Sequence, residues 1–214
     1  MRKKRDAEDT KTRVLESAEK LFAGKGFSGT SIADISKSSG VSDGLILYHF
    51  KSKERLYKEV IERSAARYMG VLKGLRDKNL PPAEMMKESL KAVFDFWRKD
   101  KTYNRISLWA YLERRETTAV NEAKLTAGLA AYLTSLQDSG HFPRRIHPTV
   151  FLSMIIGPIH FWFRYRTRFT EILQLTEKDE ELDDVFLKQF SRVLTSFFHE
   201  PNQPVKSSTT SDSG

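Results

Sequence analysis

Residues 31–50, SIADISKSSGVSDGLILYHF, constrain the fold of this chain more than any other stretch. They read as two short helices joined by a tight turn. Ser31 opens the first helix, and Asp34 three residues later completes a capping box. Ile32, Ala33 and Ile35 give that helix an apolar side. Gly40 supplies the turn, because glycine reaches positive φ without steric cost. Ser42 stands where a cap for the second helix is needed, and Val41 can staple onto Ile46 across it. A helix, a glycine turn and a second capped helix make a helix-turn-helix, a form whose second helix fits a DNA major groove.

Helical periodicity runs through nearly all of the remaining chain, so the expected fold class is all-α. From Thr10 to Ala23 the residues Val14, Leu15, Ala18, Leu21 and Phe22 share a face, and Gly24 and Gly26 end the helix. Ser52 caps a long helix with Leu56, Val60, Ile61, Tyr68, Val71, Leu72 and Leu75 inward, closed off by Pro81-Pro82. Met86, Leu90, Val93, Phe94 and Trp97 stripe the next helix. Residues 103–115 are rich in aromatics. A helix bearing Leu125, Leu129, Tyr132, Leu133 and Leu136 stops at Gly140. Pro148 starts a helix running to about Phe169, kinked at Gly157-Pro158. Thr176 with Asp179 resembles a cap for a last helix carrying Leu182, Phe186, Phe190, Val193, Leu194 and Phe197. The polar residues 201–214 read as a disordered tail.

The net charge of +8 suits a polyanionic partner. There is no cysteine, hence no disulfide framework, Cys-based metal site or cysteine nucleophile. The start, MRKKRDAED, is basic with no apolar core behind it, unlike a secretory signal. Residues 151–163 are the most apolar stretch but fall short of the ~20 residues a membrane span needs. The expectation is a cytoplasmic protein without membrane contact. No GxSxG or HExxH occurs, and the histidines at 49, 141, 147, 160 and 199 are scattered, so nothing argues for an enzyme, a metal site or a cofactor. The letters of GxGxxG at residues 24–29 follow a helix and not a strand, and read as a helix stop and turn.

Residues 10–56 resemble the DNA-binding domain of the TetR family of transcriptional regulators. The matching pattern is Phe22, Gly26-Phe27, Thr30-Ser31-Ile32, Ile35, Gly40-Val41-Ser42, Gly44, Ile46, His49-Phe50, Lys53 and Leu56. The rest resembles the family only in being helical. The resemblance implies a basic arm at 1–9, a three-helix DNA-binding domain at 10–56, a helical ligand-binding and dimerisation domain at 57–200, and the tail at 201–214. One departure is clear. The family usually carries a phosphate-contacting Tyr where this chain has Leu47, and Tyr48 stands one residue later, turned by about 100° on a helix.

Ser42, Asp43, Gly44 and Leu45 form the first turn of the expected recognition helix, where base edges are met. Gly44 lets backbone approach DNA, Leu45 suits a thymine methyl group, and Asp43 can accept from a cytosine amine. Their structural alternatives are a cap for Ser42, a dipole partner for Asp43 and a core residue for Leu45. By resemblance, Lys53 and His49 contact phosphate, with Ser31 and Tyr48 as further candidates. Arg2, Lys3, Lys4 and Arg5 form a cationic arm ahead of the first helix.

Trp97, Tyr103, Arg105, Trp109, Tyr111, Arg114, His160 and Trp162 are candidates to line an effector pocket, with core packing as the plain alternative for each. The effector expected there is an unidentified small molecule of aromatic or amphipathic character. Arg164, Arg166 and Arg168 alternate with aromatics and suit an anionic ligand, a partner subunit or a solvated face. Phe190 and Phe197 are candidates for a homodimer interface made by the last two helices.

Together these imply a homodimeric regulator that binds a double-stranded DNA operator, most simply a repressor released by its effector. The long helix from Ser52 would carry the signal by tilting. A constitutive or protein-partner-controlled DNA-binding regulator is the alternative, and a helical-bundle enzyme is a remote one.

Overall fold

The computed structural model describes residues 2–76, 79–115, 120–176 and 178–198. Every regular element among them is a helix: α1 (Arg2–Lys25), α2 (Ile32–Ser39), α3 (Asp43–Phe50), α4 (Lys53–Arg76), α5 (Pro82–Lys99), α6 (Lys101–Leu112), α7 (Val120–Asp138), α8 (Pro148–Leu173) and α9 (Asp179–Thr195). None of these helices is long and apolar enough to cross a membrane.

Local chemistry sets most helix ends. The Asp34 amide donates to Ser31 Oγ at 3.0 Å and the Ser31 amide donates to Asp34 Oδ2 at 2.9 Å, so the capping box is complete. Gly40 takes φ 67° and its N–H closes α2 onto the Ser36 carbonyl. Ser52 Oγ accepts the Arg55 amide at the start of α4. Asp100 caps α6 by accepting from Thr102 and Tyr103. Pro148 sits in the first turn of α8, where its missing N–H costs nothing.

Several ends differ from expectation. Helix α1 begins at Arg2, not Thr10, so Arg2, Lys3, Lys4 and Arg5 extend a helix and do not form a separate arm. Ser42 holds the N-cap position of α3, but its side chain makes no cap bond. Lys178, not Thr176, is the N-cap of α9, and Asp179, Glu180 and Glu181 in the first turn favour the positive helix end. Helix α8 runs unbroken past Pro158 to Leu173. The expected tail lies outside the described residues.

Helix α1 packs on α2, α3, α4 and α6, while α5 is held between α4, α8 and α9, with α7 against α4 and α8. The core is one continuous cluster. At the N-terminal end Tyr57 meets Phe22 and Phe27 edge to face, with Ile35, Ile46 and Phe50 fully buried around them. Val60, Ile61, Ala65 and Tyr68 carry the cluster along α4 to Phe94, Trp97 and Tyr103. The domain boundary expected after residue 56 therefore falls inside a helix that both parts share.

The α8–α9 seam contains a buried carboxylate. Asp183 is fully buried and accepts from the Arg166 guanidinium and from Trp162 Nε1 at 2.7 Å. Arg166 also meets Asp179 at 3.3 Å, so of the expected arginine run at least this member faces its own subunit. Removing one partner of a buried pair leaves the other desolvated and unmatched. Asp183→Ala is expected to lower the unfolding free energy by about 3–5 kcal/mol, measured by urea unfolding followed through tryptophan fluorescence. A loss under about 1 kcal/mol, the worth of an exposed pair, would show that Asp179 alone suffices for Arg166.

Candidate DNA-binding surface

Helix α3 divides cleanly into two faces. Ile46 and Phe50 are buried against α1, α2 and α4, so the helix cannot rotate without exposing them. That leaves Ser42, Asp43, Gly44, Leu45, Leu47 and Tyr48 exposed, with His49 half-buried. Leu45 is therefore not core, and a β-carbon at Gly44 would meet nothing within 4 Å. Tyr48 is 69% exposed, with Lys51 Nζ 5.2 Å from the centre of its ring. Both of these side chains stand free of the core at the end of α3. Lys51 is a cation the sequence reading missed, although its place just after the recognition helix could have pointed to it.

Two expected phosphate contacts have other tasks. The Ser31 hydroxyl is engaged in the capping box, donating to Asp34 Oδ2 at 2.7 Å. The Ser31 backbone N–H, then its hydroxyl, hold the Asp34 carboxyl below its usual range. Lys53 Nζ points into the α1–α2 turn, donating to the carbonyls of Phe27 at 3.1 Å and Thr30 at 2.9 Å. It also lies 4.1 Å from the centre of the Phe27 ring. The ammonium thus joins the start of α4 to the turn that launches α2, and a phosphate contact from Lys53 would have to replace these bonds.

The opposite side of that turn is held by α6. Glu113, the C-cap of α6, accepts the amides of Phe27 at 3.1 Å and Ser28 at 2.9 Å. Arg105 Nε donates to the Ala23 carbonyl at 2.8 Å, and the Arg115 guanidinium stacks 3.5 Å over Phe27. Gly26 has φ +74°, and a β-carbon there would stand 2.6 Å from Glu113 Oε1 and 2.9 Å from the Trp109 ring. Tyr57, buried beside this turn, has its phenol pushed up to about 12 by burial and then by the negative charge of Glu113. Glu113 and Arg115 carried no sequence signal, since their partners lie more than eighty residues away.

The effector candidates separate into groups. Trp97, Tyr103 and His160 come together: Trp97 stacks on Tyr103 at 5.6 Å and meets His160 edge-on at 4.5 Å. Trp97 Nε1 and His160 Nε2 are buried and make no hydrogen bond. Burial, then the charge of Arg164, lowers the His160 pKa and keeps the ring neutral at pH 7. The others stand elsewhere. Arg105 and Trp109 serve the α1–α2 turn, Trp162 belongs to the Asp183 seam, and Tyr111 and Arg114 are exposed. A groove of about 680 Å³ lies between α1, α4 and α5, lined by Lys20, Arg67, Val71, Phe96 and Lys99 among others, and none of the eight candidates borders it.

Phe190 and Phe197 are half-buried and pack within the subunit, Phe190 on Phe186 at 5.4 Å and Phe197 on Phe151 at 5.5 Å. The outward apolar stripe is made instead by Val150, Met154, Phe161, Phe169 and Ile172 of α8 and Val185 and Val193 of α9.

A capped helix, a left-handed glycine turn and a second helix with an exposed outer face define a helix-turn-helix DNA-binding domain. Residues 14–60 match the profile described as bacterial regulatory proteins, tetR family. The match marks residues 14–60 as a DNA-binding domain of the tetR type. It is similar to the biofilm operon icaADBC negative transcriptional regulator IcaR of Staphylococcus epidermidis, at 26% identity over 84% of this chain and 100% of that protein. Other curated relatives match more closely over shorter stretches, and there the chain spans only 34%, 50% and 28% of their lengths. Its fold is similar to that of a TetR family transcription regulator from Marinobacter aquaeolei VT8, with a TM-score of 0.72 at 15% identity over 92% of this chain and 98% of the other. It is also similar to FadR of Bacillus subtilis, solved in complex with stearoyl-CoA, with a TM-score of 0.63 at 19% identity over 88% and 99% of the two chains.

Lys53→Met separates the two tasks open to this side chain. Loss of the ammonium bonds to the turn is expected to cost about 1–3 kcal/mol of stability, measured by thermal unfolding, and to leave the salt dependence of DNA binding unchanged. An ammonium bound to phosphate would instead lower the log–log salt slope by ~0.9 per contact, or ~1.8 for a dimer.

Proposed function

We propose that this protein is a dimeric, effector-responsive DNA-binding transcriptional regulator that acts as a repressor. What carries the proposal is the outer face of α3, on which Ser42 to Leu45 and Tyr48 are exposed while Ile46 and Phe50 anchor the helix. Residues at the N-terminal turn of such a helix meet base edges, and the net charge of +8 favours the polyanion. Leu45 offers an apolar contact to a thymine methyl group and Asp43 an acceptor to a cytosine amine. Tyr48, His49 and Lys51 flank that turn and supply the backbone contacts, in the place left by Ser31 and Lys53. Such a protein works in the cytoplasm, where bacterial DNA lies.

Dimerisation rests on the large apolar side chains from Val150 to Ile172 of α8, with Val185 and Val193 of α9, which one subunit leaves in water. A two-fold pair would set two α3 helices against two half-sites. The effector site is assigned to the Trp97–Tyr103–His160 cluster. Its aromatic faces suit a flat or amphipathic molecule, and the bare Trp97 Nε1 donor suits an acceptor group on it. Repression is supported by the similarity to a negative regulator, and a small-molecule effector by the similarity to a regulator in complex with stearoyl-CoA.

The deciding experiment is selection of duplexes from random DNA by the full-length protein. A two-fold related pair of half-sites is expected to be enriched, and enrichment of no sequence would sink the proposal. Phe161→Glu puts a charge on the apolar stripe and is expected to give monomers by light scattering that lose the selected duplex. A parent protein that scatters as a monomer at micromolar concentration would overturn the dimer. Trp97→Phe removes one donor while keeping an aromatic ring. It is expected to weaken effector-driven release about tenfold, as loss of one buried hydrogen bond does, without changing operator affinity in the same anisotropy titration. No release by any compound in a chemical library would favour constitutive regulation.

A further inference from the structure

The helix-turn-helix resembles a unit that stands by itself, yet one of its turns is completed by a residue from the helical body. The chain leaves α1 at Gly26 and enters α2 at Ser31, so residues 27–30 set how α2, and α3 behind it, sit on α1. Within this turn Thr30 donates twice, its amide to the Phe27 carbonyl at 3.2 Å and its hydroxyl to the Gly26 carbonyl at 2.8 Å. The amides of Phe27 and Ser28 have no acceptor inside the domain. They donate to the two carboxylate oxygens of Glu113, one to each.

We propose that Glu113 is a positioning residue for operator recognition, fixing the recognition helix from outside the DNA-binding domain by gripping the α1–α2 turn. The proposal rests on the DNA-binding function above and adds a residue to it. Three features support it. First, the Glu113 side chain is only 14% exposed and makes two charge-assisted bonds, of which the one to the buried Phe27 amide is the less open to water. Second, Gly26 leaves no room for a β-carbon because Glu113 and Trp109 occupy that space, so α6 and the turn are fitted to each other. Third, Arg105 within α6 and Arg115 just past its end also hold this region, at the Ala23 carbonyl of α1 and on the Phe27 ring of the turn. A shift of α6 by an ångström breaks bonds of 2.9 and 3.1 Å, so displacement of the body reaches residues 27 and 28 directly. Helix α4, the lever expected from the sequence, is then one of two connections and not the only one.

The test uses the full-length protein, the duplex enriched by the parent, and a scrambled duplex of the same length. Glu113→Ala is expected to lower affinity for the selected duplex about tenfold or more, the effect of losing hydrogen bonds to a charged group. Affinity for the scrambled duplex should stay within about twofold, because phosphate attraction is untouched. Amide exchange at Phe27 and Ser28 should accelerate while that of Phe22 and Ala23 in α1 stays as in the parent. Glu113→Gln keeps the shape and one acceptor oxygen and should fall between parent and Glu113→Ala, which guards against a variant that merely misfolds. Selected-duplex affinity unchanged in Glu113→Ala overturns the positioning role alone, even if exchange accelerates. A parent that enriches no duplex overturns the DNA-binding function and the positioning role with it.

Discussion

The turn between α1 and α2 is the point on which the rest of the structure depends. It has few residues and must reverse the chain, so its backbone groups need partners from elsewhere. Lys53 takes the carbonyls of Phe27 and Thr30 from the α4 side, and Glu113 takes the amides of Phe27 and Ser28 from the α6 side. The Phe27 ring is met by both the Lys53 ammonium and the Arg115 guanidinium. Donors and acceptors of one turn are thus divided between two helices, and the placement of α2 and α3 follows from both.

A second cross-connection works with the first. Arg67 of α4 bonds to Glu19 of α1 and to Asp100, the cap of α6, and Ser64 donates to Glu19 at 3.0 Å. Glu19 is nearly buried, which is tolerable for a carboxylate only with such partners. Helix α1 is therefore tied to the body along its length and at its C-terminal end. With the apolar cluster running unbroken along α4, the DNA-binding part is an extension of the body's core and not a bead on a linker. This geometry suits a regulator, because a change in the body has short, stiff routes to the DNA-facing helix.

The aromatic residues of the body divide by task in a way that composition hides. Trp162 supports a buried carboxylate, Trp109 fills the space beside Gly26, and Trp97, which meets Tyr103 and His160, shares with His160 a buried nitrogen without a hydrogen bond. On the outside, Phe161 lies 4.7 Å from Tyr165 and 6.0 Å from Phe169, forming a continuous apolar ridge on α8. Rings on one helix thus serve an internal cluster, a seam and an outer surface, according to their angle around its axis.

Short-range chemistry made much of this protein legible from its sequence. The Ser31–Asp34 capping box, the left-handed Gly40, the cap at Ser52 and the inward Ile46 and Phe50 all depend on residues a few positions apart, and the structure contains each of them. The exposed face of α3 follows from the same periodicity, because burying Ile46 and Phe50 leaves only one side for Leu45 and Tyr48. Where the side chains of Lys53, Arg105, Glu113, Trp162 and Phe190 point was decided only by tertiary structure. A polar or aromatic residue on a helix surface is chemically fit for DNA, ligand, partner or neighbour. Its choice depends on which helix packs against it, and for Glu113 the partner lies 86 residues earlier in the chain, beyond the reach of any local pattern.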